Sequence, residues 1–218
     1  MIAIIDYDAG NTRSVINAFR YLGVETVLTA DPGEILAADG AVLPGVGAFG
    51  DAMDRLKAGG LDETIREFVK TGKPFLGICL GLQVLFERSD ESPEETGLGI
   101  LPGEILRIPA SEGCKVPQIG WNSVTFPRES RIFAGIPEGA YMYFVHSYYL
   151  KAHSEEDVAA RTFYSVQIDA AVERENVFAC QFHPEKSGET GLMVLRNFAR
   201  LCGDQRGNNA DKKNNSLP

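Results

Sequence analysis

The chain has 218 residues, enough to bury a sizeable core, and an ordinary globular composition. Its 30 acidic residues outnumber 21 Lys and Arg, giving a net charge of −9 with no basic run, which argues against a nucleic-acid groove and against an anionic membrane surface. No apolar stretch reaches membrane-spanning length, and the N-terminal run Met1-Ile2-Ala3-Ile4-Ile5-Asp6 lacks the length and basic start of a secretory signal. The four cysteines, Cys79, Cys114, Cys180 and Cys202, are widely spaced with no Cys-x-x-Cys pair. That pattern argues against a zinc site or redox dithiol and suits free thiols in a reducing cytoplasm.

Residues 2–5 read as a buried strand, an unbroken β-branched run, and residues 6–11 as a polar turn. Val15, Ile16, Phe19 and Leu22 recur at helical spacing, and Gly23 caps that helix. Residues 24–28 form a second strand, Asp31-Pro32-Gly33 a turn, and residues 40–43 a third strand. The third strand ends in the loop Pro44-Gly45-Val46-Gly47-Ala48-Phe49-Gly50. Helical patterns follow over 52–58 and 61–70, the second with Ile65, Phe68 and Val69 on one face, and residues 74–78 are again a strand. Alternation of strand and helix predicts an α/β fold with a parallel sheet covered by helices.

Beyond Glu87 the pattern changes. Residues 88–96 are an acidic loop containing proline. Short strands are expected over 104–108, 123–126, 141–145, 158–163 and 177–182, adding antiparallel strands to an open, mainly parallel sheet flanked by helices. An amphipathic helix over 188–201 closes a single domain, 1–203. Residues 204–218, polar and rich in Asn and Lys, read as a disordered tail.

The strand 74–78 runs into Gly77-Ile78-Cys79-Leu80-Gly81, followed by helix-forming residues 82–87. Strand, sharp turn and helix make a nucleophile elbow, with Cys79 where a Ser would stand. Gly77 and Gly81 suit its close backbone packing, and the helix N-terminus favours a thiolate over a thiol. On this stretch alone, a buried structural Cys is an equal reading.

A cysteine nucleophile needs a base. Of three histidines, His153 lies in a charged loop and reads as solvated surface, and His146 follows the strand 141–145 and starts a turn. His183 stands before Pro184 and Glu185. Pro184 pushes His183 toward an extended conformation, in which residues two apart point the same way. Glu185 then reaches one ring nitrogen while the other faces the sulfur. The spacing predicts a Cys79-His183-Glu185 triad; a surface His beside a loop Glu is the alternative. Acyl chemistry also needs oxyanion donors. The Leu80 N–H is one, and the loop 44–47 offers the other at Val46. Gly45 and Gly47 tolerate unusual backbone angles, so this loop suits a peptide-plane reorientation that turns the Val46 N–H.

Together, Gly77-Ile78-Cys79-Leu80-Gly81 with Gln83, and His183-Pro184-Glu185, resemble the class I glutamine amidotransferases. Asp6-Tyr7, Gly10-Asn11, Ser14-Val15, the loop 44–50, Gly120-Trp121-Asn122, Val145-His146-Ser147-Tyr148 and residues 182–188 narrow the resemblance to glutaminase subunits of imidazole glycerol phosphate synthases, over residues 2–201. Asp8, Thr12 and Gln118 depart from that pattern, which has Gly, Leu and His there. The departures bear on the partner interface rather than on the triad.

The resemblance implies that Cys79 attacks the side-chain amide of glutamine, His183 moves the proton and Glu185 orients the ring. Ammonia leaves, and water hydrolyses the thioester to glutamate. It also implies that Gly47, Gln83, Glu91, Ser147 and Tyr148 hold the glutamine, with Glu91 facing its α-amino group. Asn11, Trp121, Asn122, Tyr143 and Lys186 would face a separate cyclase subunit, a (β/α)8 barrel. That partner would use the ammonia to make imidazole glycerol phosphate and AICAR in histidine biosynthesis; no metal or cofactor is implied. Three other readings stand beside this one: a glutaminase subunit of another amidotransferase, a stand-alone cysteine hydrolase and a non-catalytic binding module. In α/β-hydrolases the acid precedes the His, whereas here it follows by two residues, and an intact Cys, His and Glu set argues against a binding module.

Overall fold

The computed structural model describes the backbone of residues 1–214 and the side chains of residues 1–203. Five adjacent parallel strands make up most of its sheet: β1 (Ile2–Ile5), β2 (Thr26–Thr29), β3 (Gly40–Gly45), β4 (Phe75–Cys79) and β12 (Val177–Cys180). Strands β10 (Val158–Tyr164) and β11 (Val166–Arg174) continue the same sheet antiparallel, in the order β10-β11-β12-β4-β3-β1-β2. The expected open, mainly parallel sheet is therefore present.

Alternation along the strands decides which side chains face which layer. Ala3, Ile5, Ala41, Leu43, Phe75, Val177 and Ala179 enter one core. Ile2, Ile4, Val42, Leu76, Ile78, Phe178 and Cys180 enter the other. The first core is covered by α2 (Pro32–Ala37), α3 (Phe49–Ala58) and α4 (Leu61–Lys70), the last burying Leu61, Thr64, Ile65 and Phe68 at helical spacing. The second is covered by α1 (Thr12–Tyr21) and α6 (Gly188–Asn214), through Val15, Phe19, Val194, Leu195 and Phe198.

Helix α2 lies where a turn is expected. Asp31 accepts the Glu34 N–H at 2.8 Å and Pro32 occupies the first turn, so the residues that signal a turn here start a short helix. Helix α6 runs past the expected end at Leu201; the side chains of the tail 204–218 lie outside the described residues.

The middle of the chain adds two small sheets. In one, β5 (Arg88–Ser89) pairs parallel with β6 (Gly103–Arg107), which pairs antiparallel with β9 (Tyr148–Ala152). In the other, β7 (Gln118–Ser123) and β8 (Tyr141–His146) form an antiparallel ribbon. The expected strand 123–126 thus lies earlier, at β7, while β5, at the start of the expected loop 88–96, β9 and β11 are additional. Met142 and Phe144 of the ribbon enter the second core. On its other face Trp121 stands opposite Tyr143, their rings edge-on at 6.0 Å, with Ile119 and Tyr141 exposed alongside. Among the described residues, no helix is long and apolar enough to cross a membrane.

Candidate active site

Strands β3, β4 and β12 are adjacent and parallel, so their C-terminal ends open on one edge of the sheet. This is where open α/β sheets bind ligands. Cys79 ends β4, Val46 and Gly47 follow β3, and His183 lies just past β12.

Cys79 has φ 55° and ψ −110°, a conformation costly for a residue with a Cβ, on the order of 1–3 kcal/mol. The turn is held by close backbone packing rather than by helix length. A Cβ on Gly81 would meet the Leu43 carbonyl oxygen at 1.8 Å, and one on Gly77 the Gly81 carbonyl oxygen at 2.5 Å. Helix α5 covers only Leu80–Gln83, starting directly after the nucleophile and ending before the expected stretch 82–87 is half complete.

His183 Nδ1 lies 2.9 Å from Glu185 Oε1, with side chains only 2 % and 1 % exposed. The contact forms by a route other than extended backbone. His183 is extended, with φ −99° and ψ 96°, but Pro184–Lys186 turn into a 3-10 helix that folds Glu185 back to the ring. The backbone of His183 donates to the Tyr143 carbonyl at 2.9 Å, tying the base to β8. Burial alone would lower the His183 pKa; Cys79 and Glu185 outweigh it and raise it to about 9. Its Nε2 is buried and makes no hydrogen bond of good geometry, so that nitrogen stays available on the sulfur side.

A cavity of about 280 Å³ opens above the sulfur. Val46, Gly47, Cys79, Leu80, Gln83, Glu91, Ser147, Tyr148 and His183, all singled out from the sequence, line it together. Glu185 stands behind His183. Asn11, Trp121, Asn122, Tyr143 and Lys186 are not among the lining residues.

Several working parts went unrecognised in the sequence. Gln181, fully buried, donates from Nε2 toward the Cys79 sulfur at 3.6 Å and accepts from Gln83 Nε2 at 3.0 Å. Gln83 Nε2 also donates to the Tyr148 carbonyl at 3.0 Å. Both Gln83 N–H groups are thereby engaged, so this residue braces the pocket, and only its carbonyl oxygen is left to offer. Glu91 accepts the Phe49 N–H at 2.8 Å and Ser92 accepts the Gly50 N–H at 3.1 Å, so the acidic loop caps α3.

His146 ends β8, buried, rather than following the strand to start a turn. Its Nδ1 is 2.9 Å from the Tyr148 carbonyl and its Nε2 3.0 Å from Gln118 Oε1, a position that the amide's oxygen and nitrogen exchange by a half-turn. Burial lowers its pKa to about 4 against the pull of the Tyr148 carbonyl, with His183 lowering it further, so the ring is neutral near pH 7. A neutral ring has one N–H, and the Tyr148 carbonyl can only accept, so Nδ1 carries the proton. Nε2 is then satisfied when Gln118 presents its NH₂ group. Gln118, 3 % exposed, thus supports the pocket wall from within.

The family described as glutamine amidotransferase class-I matches residues 3–202. The imidazole glycerol phosphate synthase subunit HisH of Methanothermobacter thermautotrophicus is 54 % identical over 201 residues, covering 92 % of this chain and 98 % of its own. That of Moorella thermoacetica is 53 % identical over 200 residues, covering 92 % and 94 %. A crystal structure of a glutamine amidotransferase superposes with a TM-score of 0.74 at 20 % identity, over 93 % of this chain and 100 % of that one, and shows the same fold. Nucleophile elbow, buried His-Glu pair and near full-length identity agree: this chain belongs to the class-I glutamine amidotransferases and, among them, to the HisH subunits of imidazole glycerol phosphate synthase.

Proposed function

We propose that this chain hydrolyses glutamine in the 280 Å³ cavity and hands the ammonia to a separate cyclase subunit with a (β/α)8 barrel. The Cys79 thiolate adds to the side-chain carbonyl carbon of glutamine. The resulting oxyanion is met by the N–H groups of Leu80 and Val46. His183, cationic below its pKa of about 9, gives its Nε2 proton to the departing nitrogen. The C–N bond breaks, ammonia leaves and a thioester remains. His183, now neutral, takes a proton from water as that water attacks. The second intermediate collapses to glutamate and returns the thiolate-imidazolium pair.

Glu185 keeps the ring in the tautomer with Nδ1 protonated and balances its cation. Gly47, Gln83, Glu91, Ser147 and Tyr148 bind the substrate, with the Glu91 carboxylate meeting the α-amino group. The work lies within domain 1–203, in the cytoplasm, with residues 204–218 outside it. Asn11, Trp121, Asn122, Tyr143 and Lys186 form the docking face. The observation that carries this reading is the strained Cys79 beside the buried His183–Glu185 pair, above one cavity at the ends of three adjacent strands. Cys79→Ser tests it. Glutamine-dependent imidazole glycerol phosphate synthesis by the complex is expected to vanish while synthesis from added ammonium persists. Undiminished glutamine turnover in the variant would refute the assignment.

A further inference from the structure

Tyr7 follows β1 and is 4 % exposed, yet its hydroxyl has no hydrogen-bond partner. A phenol oxygen buried this way is costly, and it marks a group whose partner is missing in this arrangement. Its surroundings say which partner. A Cβ placed on Gly45 would lie 2.6 Å from the Tyr7 hydroxyl, 2.8 Å from Leu80 Cβ and 2.9 Å from the Gly81 nitrogen. Gly45 is therefore glycine because Tyr7 and the elbow press on it; its neighbour Gly47, with φ 111°, is the one that needs an unusual backbone angle. Pairing between β1 and β3 ends at Ile4 and Val42, and Tyr7 packs beyond it, against the end of β3.

The Gly45 carbonyl and the Val46 N–H belong to one rigid peptide plane and point in opposite directions. Any rotation that aims the Val46 N–H at the oxyanion swings the Gly45 carbonyl away from the cavity. A buried carbonyl must find a donor, and Tyr7 is the unpaired hydroxyl packed on that peptide. Burial and the nearby Cys79 raise the Tyr7 pKa, against a smaller opposing effect of Arg55, so the hydroxyl keeps its proton.

We infer that Tyr7 is a positioning residue. Its hydroxyl donates to the Gly45 carbonyl when the Val46 N–H faces the oxyanion, and so holds that donor in place. The inference rests on the assignment of Val46 as an oxyanion donor. The β1–α1 loop, Asp6 to Asn11, would then bias the oxyanion turn from the side where Asn11 meets the partner.

Tyr7→Phe removes the oxygen and keeps the ring. In the complex with the cyclase subunit, kcat for glutamine should fall by about tenfold, the worth of one hydrogen bond, with KM changed by less than about twofold. Iodoacetamide labelling of Cys79 should be unchanged. The isolated variant should melt at or above the wild-type temperature, because an unpaired buried hydroxyl has gone. A merely structural hydroxyl would lower the melting temperature instead. An unchanged kcat, or a lowered melting temperature with kcat and KM moving together, would overturn the inference. A wild-type complex inactive on glutamine would overturn the functional reading itself, and the inference with it.

Discussion

The His183–Glu185 pair allows a prediction with a worked magnitude. The two side chains are 2.9 Å apart and 2 % and 1 % exposed, and Glu185 Oε2 has no hydrogen-bond partner. The carboxylate therefore depends on the imidazole. The rise of the His183 pKa from 6.5 to about 9, shared between Cys79 and Glu185, corresponds to about 3 kcal/mol. A raised pKa means that the folded chain holds the proton more tightly than the unfolded one. The stabilisation is full below pH 6.5 and disappears as pH rises through about 9. Glu185→Gln keeps the shape and removes the counter-charge. The ring then releases its proton rather than stay charged and buried, which caps the loss at about 3 kcal/mol near pH 6. For a domain of this size that is a melting temperature lower by about 6–12 °C, shrinking toward zero by about pH 9.5. Glutaminase kcat should fall by about 10²–10⁴-fold, because an amide can hold the wrong tautomer. Thermal melts of both proteins from about pH 5.5 to 9.5, with rates of glutamate release, make the test. A stability difference that stays constant with pH, or grows as pH rises, would refute the electrostatic account.

His146 predicts the opposite limb. Its folded pKa of about 4 lies below 6.5, so stability should fall as pH drops through that interval, and His146→Gln should flatten the fall in acid melts. Gly81→Ala sets a Cβ 1.8 Å from the Leu43 carbonyl oxygen, which cannot yield without moving β3 away from the elbow. We expect a loss of about 3 kcal/mol or more in urea unfolding, together with loss of glutamine turnover. Trp121→Ala removes an exposed ring, so isolated-chain stability should move by less than about 0.5 kcal/mol. Affinity for the cyclase subunit, measured by calorimetry, should drop by about 2 kcal/mol or more.

The sequence exposed the parallel core and the residues that meet around Cys79 because both leave local signals. Unbroken apolar runs mark β1, β3 and β4, and the glycines around Cys79 mark a turn that no Cβ would fit. The supports were hidden because they act across long stretches of chain. Gln181 sits in a run that reads as an apolar strand, and only the pairing of β12 with β4 brings it to the sulfur. Gln118 and His146 meet because β7 pairs with β8. The nine-residue β11 does carry a strand signal, Val166, Ile168, Ala170 and Val172 alternating with Gln167, Asp169 and Glu173, which went unrecognised; it is held by β10 and β12 on either side. Helix α2 has six residues, too few for periodicity to register. The Glu185 contact was foreseen for the wrong local reason: a 3-10 turn, not an extended strand, carries it to His183.

One strand joins the proposed docking face to the cavity. On β8, Tyr143 turns its ring outward against Trp121, while its carbonyl accepts the His183 N–H at 2.9 Å. The Tyr143 N–H donates to Ser187 Oγ at 3.0 Å, and Ser187 Oγ donates to the His183 carbonyl at 2.7 Å. Three hydrogen bonds thus lock the peptide of the base to the backbone of a surface aromatic. Three residues further along, His146 fixes the Tyr148 carbonyl that also anchors Gln83. If, as proposed, a partner docks on Trp121 and Tyr143, it would press on the backbone that positions both His183 and the turn 147–148. Packed and hydrogen-bonded elements transmit such a displacement instead of absorbing it. With Tyr7 packed against Gly45 from the other side, the proposed nucleophile and base can both be in place in the isolated chain while the proposed rate still depends on what is bound.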